Sequence, residues 1–129
     1  MISKESVIHR QVCDYLRLQY PNVLFRTDMG GVRLTMGQAR AARATQHGRA
    51  WPDLFIAEQR YSKSDKEMYG GLFIELKATN IYKKDGTLKS NTHVQEQADV
   101  LKALADRGYL AVFAVGFEEA KSIIDSYLS

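Results

Sequence analysis

The chain has 129 residues, 45% of them hydrophobic and 26% charged, with a net charge of +3, the length and balance of one folded domain spanning residues 1–129. That composition excludes intrinsic disorder, no apolar run approaches the ~20 residues of a membrane span, and Met1 to Glu5 lead into a mixed segment rather than a signal-peptide core. A single cysteine, Cys13, excludes an internal disulfide framework and a cysteine-based zinc cluster, and fits a reducing, cytoplasmic setting.

The first segment, Ser3 to Tyr20, has helical periodicity: Ile8, Val12, Tyr15 and Leu16 share one face, Ser3 can cap the start and Pro21 ends it. Val23 to Thr27 reads as a strand. Asp28 to Ala50 reads as a basic loop with a short helix near Gln38 to Thr45. Pro52 to Ala57 is a second strand, and Glu58 to Gly71 a polar connection ending in a glycine turn. Leu72 to Ala78 is the clearest strand, with Phe73, Glu75 and Lys77 on the face opposite Leu72, Ile74 and Leu76. Thr79 to Thr92 is a polar loop. His93 to Arg107 is a helix stopped by Gly108, Leu110 to Val115 a buried strand, and Phe117 to Leu128 a final helix. The order α-β-β-β-α-β-α predicts an α/β sandwich in which helices flank a central mixed sheet.

The small net charge is unevenly spread. Arg26, Arg33, Arg40, Arg43 and Arg49 face one acid, Asp28, across that stretch, a local charge of +4, and Lys83, Lys84 and Lys89 outweigh Asp85 in the later loop. Concentrated basic segments suggest a polyanion partner such as DNA. Between them lie the residues with chemical potential. Glu75 and Lys77 project from one strand face, and Asp53 opens the preceding strand 22 residues earlier. If the two strands pair, two carboxylates converge, and they repel unless a cation lies between them. Oxygen ligands of this kind suit Mg²⁺. Lys77 would then orient or activate a metal-bound water, or stabilise a pentavalent phosphoryl transition state. Acid-x-Lys triplets are common, and a second one, Glu119-Ala120-Lys121, reads as solvated helix surface. What distinguishes the first is the preceding Pro52-Asp53 and the strongly apolar strand that carries it.

Those motifs resemble the PD-(D/E)xK nuclease superfamily, whose restriction-endonuclease-like sandwich has the same element order. Within it, Trp51-Pro52-Asp53-Leu54-Phe55-Ile56, Gly71 to Lys77, and Gln97 followed by Leu101, Leu104, Gly108 and Tyr109 look most like a stand-alone VRR-NUC domain. The resemblance implies Asp53 and Glu75 as metal ligands, with the Leu76 carbonyl as a third. It also implies Lys77 as the catalytic lysine, Gln97 near the site, and Glu5 in the first helix touching the metal directly or through water. It implies Mg²⁺, with Mn²⁺ substituting, and a homodimer cutting branched or junction DNA in a bacterial or phage-infected cell. The five arginines and three lysines named above would line the DNA approach. Ala50 departs from the glycine usual two residues before the proline, and the 79–92 loop is long. A catalytically inactive DNA-binding module of the same fold is the alternative.

Periodicity places Gln97 on the buried face of its helix with Val94 and Leu101, where an amide needs partners. Glu5 falls on the inward face of the first helix. Of the histidines, His9 reads as helix surface, His47 as part of the basic loop and His93 as a helix-start residue. Cys13 is expected beside the apolar face, Trp51 in the core, and Tyr82 as a residue that can stack on a base.

Overall fold

The computed structural model describes residues 3–27, 35–48 and 50–129. The first helix, α1 (Lys4–Gln19), is capped by the Ser3 hydroxyl, which accepts from the Ser6 N–H. It is followed by the short strand β1 (Phe25–Thr27). The helix expected in the basic region is α2 (Met36–Ala44), started by Thr35 and Gln38 in a reciprocal capping box. Gly30-Gly31, Arg33 and Arg49 lie outside the described residues.

The strands β2 (Leu54–Ile56) and β5 (Leu72–Lys77) fall where the apolar runs placed them. The 58–71 connection differs from expectation. It contains a separate two-stranded hairpin, β3 (Arg60–Ser62) with β4 (Glu67–Tyr69), turned at Lys66 in a left-handed conformation. Its alternation is too short and polar to stand out from a loop. The remaining elements are α3 (Thr92–Ala105), β6 (Leu110–Val115) and α4 (Gly116–Leu128). At the end of α3 the Tyr109 N–H bonds the Leu104 carbonyl and the Gly108 N–H that of Ala105. This closure needs positive φ, and Gly108 supplies it at +95°.

The main sheet runs β1-β2-β5-β6, antiparallel across its first two junctions and parallel between β5 and β6. It is therefore the mixed sheet flanked by helices that the sequence predicts. On one face Leu54, Ile56, Leu72, Ile74 and Leu76 pack with Val12 and Leu16 of α1 and Ala120 and Ile124 of α4. Each large apolar side chain buried there contributes about 1.5–3 kcal/mol. The α1–α4 contact is locked by Tyr15 and Tyr20, whose hydroxyls both donate to Asp125 Oδ1, at 2.6 and 2.7 Å. On the other face Phe55 stacks on Phe73 at 4.5 Å, with Tyr109 edge-on to both. Gly71 lets Phe55 lie so close: a Cβ there would sit 2.7 Å from Phe55 Cε1. Burial on both faces explains why β5 reads from Leu72 to Leu76 as apolar sequence interrupted only by Glu75. Among the described residues no helix is long and apolar enough to cross a membrane.

Candidate active site

The β2–β5 register pairs Leu54 with Ile74, so one step further along the antiparallel ladder Asp53 lies opposite Glu75. Pro52, just before it, has no N–H to extend the ladder. The Asp53 side chain takes over instead: its Oδ2 accepts the Leu76 N–H at 2.9 Å. This bond draws the carboxylate into the gap between the two strands, where helices from both layers reach it. There it meets Glu75 within hydrogen-bonding range.

From one layer comes α1. His9 is only 8% exposed, and its Nε2 lies 3.7 Å from Asp53 Oδ2. The sequence predicts a surface position for His9, and the structure buries it instead. His9 precedes Val12, Cys13 and Leu16 at helical spacing, all of them buried, so it belongs to the inward stripe. That spacing was the available signal, and the polarity of the imidazole obscured it.

From the other layer comes α3. Glu75 is 4% exposed and Gln97 5%, and Gln97 Nε2 donates to Glu75 Oε1 at 2.7 Å. This is the partner that a buried amide on that helix face required. The same Gln97 nitrogen lies 3.2 Å from His93 Nε2. An amide nitrogen only donates, so the imidazole nitrogen is the acceptor there. His93 is a helix-start residue as expected, and it also fixes the Gln97 amide.

Burial pushes the Asp53 carboxyl up, but the contacts with His9 and Glu75, the His9 charge and the Leu76 N–H outweigh it. Asp53 is therefore held below the ordinary carboxylate value and stays ionised in the folded protein.

The other predicted residues take positions of three kinds. Lys77 is half-buried at the end of β5, on the strand face that carries Glu75. Glu5 is half-buried in the first turn of α1, one turn before His9 and on the same side. Arg26 is exposed on β1, Arg40 and Arg43 on α2, and Lys83, Lys84 and Lys89 in the loop between β5 and α3. That loop is folded back on itself by a Tyr82–Leu88 bridge and a turn at Gly86. Cys13 is buried as expected. Trp51 is not a core residue: it remains 38% exposed, with its ring edge-on to Phe73. Lys121 and Glu119 lie on α4, where Lys121 pairs with Asp125 and Glu119 accepts the Val115 N–H.

The donors gathered at Asp53 and Glu75 are hard oxygens. In a strand the N–H and C=O of one residue point to the same edge, so the Leu76 carbonyl also faces the Asp53 side. Among the described residues no three His, Cys, Asp or Glu side chains form a ready-made ligand set. Two carboxylates, one carbonyl and water are nonetheless the donor set that fits Mg²⁺, which binds through one or two carboxylates and retains several waters.

No protein-family model matches the chain, and no curated protein matches it. Among solved structures, a VRR_NUC domain protein superposes with a TM-score of 0.60 at 21% sequence identity, covering 98% of this chain and 88% of that chain. The likeness is one of fold, over nearly the whole chain.

Proposed function

We propose that this chain is a metal-dependent endonuclease that hydrolyses phosphodiester bonds in DNA, with branched or junction DNA as its substrate. The observation that carries this reading is the pairing of Asp53 with Glu75 at the open end of the β2–β5 ladder, followed at once by Leu76 and Lys77. A VRR_NUC-type fold around that pair supports it.

Asp53, Glu75 and the Leu76 carbonyl would hold the cation, and Glu5, one helical turn before His9, would reach it directly or through water. A bound Mg²⁺, or Mn²⁺ in its place, supplies an acidified water and neutralises charge on the phosphoryl oxygens. The chain's own groups do the rest. Lys77 brings a positive charge to the Glu75 face, where it orients the attacking water and offsets the negative charge of the transition state. Gln97 keeps Glu75 Oε1 in place through the 2.7 Å hydrogen bond. The arginines of β1 and α2 and the lysines of the 79–91 loop attract the DNA backbone. A homodimer would present two such sites to a two-fold junction. A cytoplasmic site of action, in a bacterial or phage-infected cell, fits the single free cysteine.

The test is cleavage of labelled junction, flap and linear DNA with Mg²⁺ or Mn²⁺, comparing the wild type with Asp53→Asn and Lys77→Ala. Each substitution is expected to lower the rate by about 10²–10⁴-fold. Cutting that survives both removes the site assignment. Binding without cutting of any substrate identifies instead a catalytically inactive DNA-binding module of this fold.

A further inference from the structure

Nothing in the proposed chemistry requires a histidine, yet one is buried against its first carboxylate. Asp53 Oδ2 is approached twice from the protein side: the Leu76 N–H lies at 2.9 Å and His9 Nε2 at 3.7 Å. Oδ1 is engaged by neither of these two contacts. At 3.7 Å the imidazole contact is longer than a full hydrogen bond, a loose N–H···O contact that orients the carboxylate. A carboxylate only accepts, so the Nε2 facing it carries the proton.

The helix carrying His9 is not free to move. Val12 and Leu16, the next residues along its inward stripe, are fully buried in the core, and the Tyr15 and Tyr20 bonds to Asp125 fasten α1 to α4. The imidazole is thus held on a rigid support beside Oδ2. Glu75 is held from the opposite layer by the analogous device, with His93 fixing Gln97 and Gln97 fixing Glu75. The two carboxylates are thereby restrained by separate helices, one on each side of the sheet.

We propose that His9 is a positioning residue: it holds Asp53 Oδ2 on the α1 side, presents Oδ1 to the cation, and so sets the metal affinity of the site. This rests on the metal-dependent reading above. Groups that orient a ligand in this way typically change metal affinity by about 10–100-fold when removed.

The experiment is a Mn²⁺ titration of the full chain, with free Mn²⁺ read by electron paramagnetic resonance, alongside a thermal melt of each variant. His9→Met and His9→Gln are nearly isosteric with each other, and only glutamine keeps an N–H donor. His9→Met is expected to bind Mn²⁺ about 10–100-fold more weakly than the wild type, with His9→Gln recovering most of the loss. If either fails to fold, His9→Phe, which keeps a ring but no donor, takes its place against the wild type. Equal affinity in the wild type and the donor-free variant, or an equal loss in Met and Gln, overturns the proposal and leaves His9 as packing. Equal Mn²⁺ binding by the wild type and Asp53→Asn overturns the metal-site reading itself, and the His9 proposal with it.

Discussion

Asp53→Asn separates the structural role of this residue from its electrostatic one. An asparagine carbonyl can accept the Leu76 N–H where Asp53 Oδ2 now does, at 2.9 Å. Its amide can donate to Glu75, replacing a pair of carboxyls that must otherwise share a proton or repel. Only the attraction to His9 is lost. Without metal, the variant is therefore expected to lie within about 1 kcal/mol of the wild type. Unfolding entropy is about 2.1 cal/mol/K per residue, so for 129 residues 1 kcal/mol corresponds to about 4 °C in Tm. With Mn²⁺ at a hundredfold excess over its Kd the wild type gains about 2.7 kcal/mol, or about 10 °C. The variant, missing one of two anionic ligands, should gain little. Differential scanning calorimetry with and without Mn²⁺ measures both quantities. An equal metal-induced shift in the two proteins would place the cation elsewhere. A metal-free loss well beyond 1 kcal/mol would mean that the Asp53 charge itself holds β2 to β5.

Gly71→Ala should destabilise the fold by about 1–3 kcal/mol in a denaturant titration, because the new methyl displaces Phe55 from its stack on Phe73. The Tyr20 hydroxyl, bonded to Asp125, has its pKa pushed up from 10.0 to about 12. A raised folded-state pKa contributes stability that is full below pH 10 and is lost as the pH rises through about 12. Tyr20→Phe should therefore cost about 1 kcal/mol at neutral pH and flatten the alkaline limb of the stability profile. A limb unchanged in steepness would show that Asp125 does not hold this proton. Replacing both Lys83 and Lys84 with alanine should weaken DNA binding regardless of sequence. The slope of log affinity against log salt should shrink by about one for each phosphate contact removed, and an unaltered slope would put the DNA elsewhere.

Much of this arrangement was legible in the linear chain because it depends on local patterns. The inward stripe of α1, the apolar run of β5, the Gly108 stop and the Pro52-Asp53 strand start are set within one or two turns or strand steps. Buried Gln97 was legible too, since its helix face followed from Val94 and Leu101. The β3–β4 hairpin was not, because two three-residue polar strands carry no periodicity that distinguishes them from a loop. Trp51 also escaped, since its partial exposure depends on how it meets Phe73 across the sheet.

The sequence alone determined which residues are acidic, which strand and helix carry each, and that basic segments flank them. Only the tertiary structure decided their meeting. The antiparallel register brings Asp53 opposite Glu75, and the rotation of α1 on the sheet turns His9 inward to Asp53 rather than out to water. The physical reason is range. Periodicity reports which face of an element is buried, whereas the partner on that face is chosen by packing between segments distant in the chain.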